Sequence, residues 1–262
     1  MSEFVVINKD AKIGKNVIIE PFTTIAKDVI IGDNTWIGSN VTIYEGTRIG
    51  TDCKVFPGAV VGAIPQDLKF VGEYTTLEIG NNTTIRECCT LNRGTAAKGK
   101  TVIGNNCLLM AYSHIAHDCI IGNNVIIGNA SQIAGEVIID DFAILSGIVA
   151  VHQFVRIGCH SMISGGSLVR KDVPPYITAA HEPLSYVGIN SIGLKRRKFD
   201  SVVVNDIKQI YRFLFQNNLS VTNALKEIED KINNSEQKIE IINFIKSSKR
   251  GLIKGFVDVE HD

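Results

Sequence analysis

The residues best suited to proton transfer near neutral pH are six histidines: His114, His117, His152, His160, His181 and His261. Two of them fall three apart in Tyr112-Ser113-His114-Ile115-Ala116-His117-Asp118-Cys119. A neutral imidazole can take a proton from a hydroxyl, and an adjacent carboxylate can orient it. The same pair could instead ligate a metal, as in a zinc hydratase with a third histidine, or could be two surface side chains. Six cysteines are also present, and they could be nucleophiles, disulfides or core filler.

The elements that position these groups are written in sixes. Stepping by six from Ile7 to Val169, 25 of 28 positions are Ile, Leu or Val; only Asp67, Glu73 and Ala97 break the series. Two residues earlier runs a second series of small or β-branched residues, such as Val17, Thr23, Val29, Thr35, Cys107, Ser113 and Cys119. A period of six is neither helical nor simply alternating. It suits a short strand followed by a sharp corner, stacked so that one coil buries the next. Gly often follows the aliphatic residue, as at Gly14, Gly32, Gly104 and Gly122, and is expected to relieve the corner's dihedral demands. The pattern resembles the hexapeptide-repeat left-handed β-helix, and that resemblance implies three hexads to a coil of about 18 residues, hence about nine coils.

On this reading Cys53, Cys89, Cys107 and Cys119 occupy the small inward position, so they are expected to be buried free thiols of a reducing compartment. Two interruptions, at 63–77 and 93–101, keep the register at multiples of six and are expected to loop out of intact coils. After the exit Lys171-Asp172-Val173-Pro174-Pro175-Tyr176 the composition changes. Asp200 or Ser201, Ser220, and Asn234 or Ser235 are candidate helix caps, with apolar faces at Ala224, Leu225 and Ile228 and at Ile239, Ile242 and Ile245. The domains expected are a β-solenoid over 1–185 and a small helical domain over 186–262.

Lys plus Arg (27) balance Asp plus Glu (27), which argues against a nucleic-acid surface; hydrophobic residues at 45% exclude disorder. No transmembrane span and no signal peptide are read from the sequence. Coil arithmetic stacks His117, Gly135 and Gln153, with His152 beside them, so a base would face a glycine whose N–H could approach an oxyanion.

The hexads, Pro65-Gln66-Asp67-Leu68-Lys69-Phe70, the His114–Cys119 segment, Ala150-Val151-His152-Gln153-Phe154, Asp172–Tyr176 and Gly193-Leu194-Lys195-Arg196-Arg197 occur in that order. Together they resemble the UDP-N-acetylglucosamine O-acyltransferase family over essentially the whole chain. The resemblance implies an all-β left-handed parallel β-helix with a C-terminal helical domain. It also implies transfer of a 3-hydroxyacyl chain from acyl carrier protein to the sugar 3-OH, the first step of lipid A synthesis. The implied enzyme is a cytoplasmic homotrimer with sites between subunits, needing no cofactor and no metal.

Residue by residue, the resemblance implies His117 as base, Asp118 as its support and Gly135 as oxyanion donor. His114, Asp67 and Lys69 would contact the sugar nucleotide, and His152 and Gln153 would line the nucleotide and acyl site. Asn190, Arg196 and Arg197 would meet phosphate or the carrier's pantetheine arm. Gly165, in Ser164-Gly165-Gly166, matches the acyl-chain ruler and implies a long chain; its alternative reading is a relieved corner. Glu136 departs from the histidine that better-known members carry after the oxyanion glycine, which puts one sugar or acyl contact in question. A related N-acyltransferase and a purely structural solenoid are the other readings. The first would usually carry an added N-terminal domain, and the second would lack the insertions and the His-Asp cluster.

Overall fold

A computed structural model describes residues 4–217 and 219–255, so His261 lies outside the described residues. Short parallel strands stack into three flat faces of a prism. Face A starts with Val6–Ile7, face B with Lys12–Ile13 and face C with Ile18–Ile19. Ile115 lies beside Ile133, and Ile133 beside Val151, so one coil takes 18 residues. The aliphatic residue of each hexad in a strand points inward, and from Ile25 to Val169 these Ile, Leu and Val side chains are 0–4% exposed. Each adds about 1.5–3 kcal/mol of burial to a continuous row.

The solenoid strands number 25 through Leu168–Val169, which makes eight coils and one further strand rather than nine coils. The difference lies at Asp67, Glu73 and Ala97. These fall in the insertions and occupy no strand.

The corners correct one expectation. Gly104 and Gly122 have no positive φ; a Cβ on Gly104 would lie 2.5 Å from the Gly122 carbonyl oxygen of the next coil. Glycine is required there by close backbone approach. The dihedral demand falls two residues later, where Asn16, Asp28, Asn34, Asn106, Asp118, Glu136 and His160 have φ between 52° and 60°. Asn and Asp tolerate this left-handed conformation best, which accounts for their recurrence at the corners.

Both insertions leave the edge between faces A and B. Val61 pairs with Leu91, 30 residues on, and Ile79 with Ile103, 24 residues on, whereas other coils step by 18. The first loop runs between the strands Val60–Ala63 and Thr76–Ile79, and the second between Thr90–Asn92 and Lys100–Ile103. Coils on either side therefore stay in register, as expected.

The C-terminal segment continues face C before it becomes helical. Ile177–Ala180 pairs with the coil strand Met162–Ile163, and Ser185–Ile189 turns back antiparallel on it. Lys254–Gly255 then pairs with Ser185–Tyr186. A boundary at 185/186 thus cuts through a strand.

The helices are α1 (Ser191–Arg196), α2 (Ser201–Phe215), α3 (Val221–Lys231) and α4 (Glu236–Ser247). Asp200, Ser220 and Ser235 cap the last three through their side-chain oxygens. In α4 the buried apolar residues are Ile241, Ile242, Phe244 and Ile245, while Ile239 is 47% exposed, against the expected face. Tyr211 anchors α2 by donating to the Pro175 carbonyl oxygen at 2.6 Å. Glu240 of α4 accepts from Cys159 at 3.1 Å and from the Tyr176 hydroxyl. Among the described residues no helix is long and apolar enough to cross a membrane.

Candidate active site

His114–Ile115 is a face A strand, and His117-Asp118 forms the corner that follows it. The corner backbone aims the two side chains at each other: His117 Nδ1 lies 2.8 Å from Asp118 Oδ2. Asp118 is 0% exposed and His117 is buried. As an ionised carboxylate only accepts hydrogen bonds, Nδ1 donates to Asp118, and Nε2 is the nitrogen that holds the lone pair in the neutral ring.

Nε2 points to two groups. Asp67 of the first insertion brings Oδ2 to 3.8 Å. Gly135, one coil on, stacks on the ring so closely that a Cβ there would lie 2.5 Å from Nε2. Its carbonyl accepts from Phe154 N–H at 3.3 Å, and among the described residues no group accepts from its own N–H. A ring nitrogen, a carboxylate and a glycine backbone thus lie together on the A–B edge, a grouping in which a hydroxyl could be deprotonated beside a forming oxyanion.

The sequence candidates divide among three edges. Asp67, Lys69, His117, Asp118, Gly135, His152 and Gln153 all follow face A strands and lie along the A–B edge; His114 is on face A beside it. Lys69 and His152 are exposed, with His152 Nδ1 3.1 Å from the Gln153 carbonyl oxygen. His114 Nδ1 bonds Thr90 Oγ1 at 2.7 Å; burial, with His117 nearby, holds its pKa below the ordinary histidine value. Among the described residues no three His, Cys, Asp or Glu are grouped to hold a metal. Gly165 lies exposed on the C–A edge.

Asn190, Arg196 and Arg197 belong to the B–C edge, which the structure does not bring to His117 within one chain. Asn190 caps α1, accepting from Gly193 N–H and donating to the His160 carbonyl oxygen. Arg197 donates to the Phe142 carbonyl oxygen and covers the Phe142 ring at 5.1 Å, while Arg196 is exposed.

The chain is similar to known proteins over most of its length. Residues 172–253 match the model of domain 2 of the UDP-N-acetylglucosamine O-acyltransferases, and 28–63 and 100–135 match the bacterial transferase hexapeptide model. A Myxococcus xanthus acyl-[acyl-carrier-protein]–UDP-N-acetylglucosamine O-acyltransferase is 46% identical over 195 residues, 74% of this chain and 76% of its own. The chain belongs to the UDP-N-acetylglucosamine O-acyltransferase family.

The crystal structure of a UDP-N-acetylglucosamine acyltransferase from Bacteroides fragilis is similar at a TM-score of 0.96 and 51% identity, covering 97% of this chain and 100% of the other. One from Acinetobacter baumannii gives 0.94 and 38%, covering 97% and 99%. The fold is therefore the left-handed parallel β-helix with a small C-terminal helical domain, and the chain is an O-acyltransferase.

In this acyltransferase all six cysteines are free. Burial pushes the Cys119 thiol up to about 12 and also raises Cys53, Cys89 and Cys107, which disfavours thiolates. Sequence reasoning missed Thr95 and Lys98, which bond Asp118, and Thr90, which bonds His114. The available signal was the second insertion itself: Leu91 lies beside Ile115, so the loop departs from the coil directly under His117.

Proposed function

We propose that the enzyme moves a 3-hydroxyacyl chain from acyl carrier protein to the 3-OH of UDP-N-acetylglucosamine, the first step of lipid A synthesis. The observation that supports this reading is the close approach of the Gly135 backbone to His117 Nε2, with the other ring nitrogen tied to Asp118. His117 Nε2 takes the proton of the sugar hydroxyl, whose oxygen attacks the thioester carbon. The Gly135 N–H donates to the resulting oxyanion. Collapse then breaks the C–S bond, and the departing pantetheine sulfur receives the proton from the imidazolium. A thioester is already activated, so direct attack suffices and no covalent enzyme intermediate is required. Asp118 keeps the proton on Nδ1.

Asp67, Lys69 and His114 contact the sugar nucleotide, and His152 and Gln153 line the nucleotide and acyl site. Asn190, Arg196 and Arg197 meet phosphate or the pantetheine arm, for which guanidinium groups are suited. These three lie on a different edge of the prism from His117. That separation supports a homotrimer in which one subunit's B–C edge completes a neighbour's A–B edge. The exposed, side-chain-free Gly165 supports a groove for a long acyl chain, and the enzyme works in the cytoplasm.

The test is transacylation by the purified enzyme with UDP-N-acetylglucosamine, or its 3-amino analogue, and carrier-bound 3-hydroxyacyl chains of graded length. Transfer of the longest chains to the 3-OH sugar is expected. Transfer only to the amino sugar would overturn the acceptor, and preference for ten-carbon donors would overturn the role of Gly165.

A further inference from the structure

We infer that Thr95 is a positioning residue for the base, holding Asp118 so that it fixes His117. The inference rests on the reading of His117 as base. Asp118 is 0% exposed, and a buried carboxylate must be met by donors. Oδ2 accepts the Thr95 hydroxyl at 2.6 Å as well as His117 Nδ1 at 2.8 Å, while Oδ1 accepts Thr95 N–H at 3.0 Å and Lys98 N–H at 3.3 Å. The Thr95 oxygen itself accepts from Ala97 N–H at 3.2 Å, which leaves its proton directed at Asp118. Apart from His117, every donor to this carboxylate among the described residues comes from the second insertion.

That insertion is fastened to the first. Glu73 Oε1 accepts from Ala96 N–H at 2.9 Å, and Arg93 lies over the Phe70 ring at 5.7 Å. The loop that carries Asp67 to His117 Nε2 and the turn that grips Asp118 on the Nδ1 side therefore form one clamp around the imidazole. Thr95 is where the clamp meets the carboxylate oxygen that His117 uses.

The experiment measures kcat and both KM values for Thr95→Val, Thr95→Ser, Asp118→Asn and the Thr95→Val/Asp118→Asn double variant, with His117→Ala alongside. Thr95→Val is expected to lower kcat about tenfold with both KM values within about twofold, the loss of one hydrogen bond to a charged group. Thr95→Ser keeps the hydroxyl and is expected to restore kcat to within about threefold. In the Asp118→Asn background, Thr95→Val is expected to cost less than about twofold more, because its partner is already gone.

A wild-type kcat in Thr95→Val, a rise in KM alone, or a full further tenfold loss in the double variant would overturn the inference. If Thr95→Val does not fold by circular dichroism, Thr95→Ala replaces it; failure of both to fold would assign Thr95 a structural role and overturn the inference equally. Activity retained in His117→Ala would instead remove the base reading. An inactive His117→Ala with a fully active Thr95→Val would remove only the role of Thr95.

Discussion

His117 and His160 both sit at corners of the same solenoid, yet the scaffold makes opposite things of them. His117, on the A–B edge, has one ring nitrogen tied to Asp118 and the other facing Asp67 and Gly135. His160, on the B–C edge, is stacked between Phe142 at 4.8 Å and Tyr176 at 5.4 Å, and its buried Nδ1 has no partner. Burial, with Arg197 adding repulsion, pushes the His160 pKa down to about 4. A coil corner alone thus gives a neutral ring packed as a hydrophobe. The A–B corner differs because its own Asp118 bonds the ring, the first insertion brings Asp67 to it, and the second brings donors to Asp118.

The sharpest way to break this contrast is Gly135→Ala. A Cβ 2.5 Å from Nε2 must displace the imidazole or the corner, and it disturbs the proposed oxyanion donor as well. We expect kcat/KM to fall about a hundredfold or more. A variant within threefold of wild type would separate Gly135 from the chemistry.

A smaller effect belongs to the B–C edge. Burial first, then Glu240 and Asp141, raise the pKa of Asp140 to about 6, against the pull of Arg156. The folded pKa lies above the unfolded value of 3.8, so this group's contribution to stability is lost as pH rises through 6. Asp140→Asn is therefore expected to raise the melting temperature at pH 8 by about 2–4 °C and to leave it nearly unchanged at pH 3.5. An unchanged or lower melting temperature at pH 8 would contradict the assignment.

The solenoid was legible because one spacing rule repeats along the chain, so register could be counted from Ile7 to Val169. The same counting brought Gly135 onto His117 with no structure in hand. It failed where the backbone leaves the coil. Nothing in Arg93–Thr101 announces that Thr95 turns back onto Asp118, since a loop's path depends on its own hydrogen bonds. It also misassigned the corner glycines, because close approach and positive φ favour the same residue for different reasons. Arg196 and Arg197 matched a motif, but a linear match carries no information on which edge of the prism they occupy.

The most direct test sets the two corner histidines side by side: transacylation by His117→Ala and His160→Phe at pH 7, each checked for folding. A general base contributes about a hundredfold to ten-thousandfold, so His117→Ala should lose at least about a hundredfold in kcat/KM. His160→Phe, which keeps the aromatic stack, should stay within about twofold. A His117→Ala enzyme working near the wild-type rate would contradict the assignment of the A–B corner as the site of chemistry.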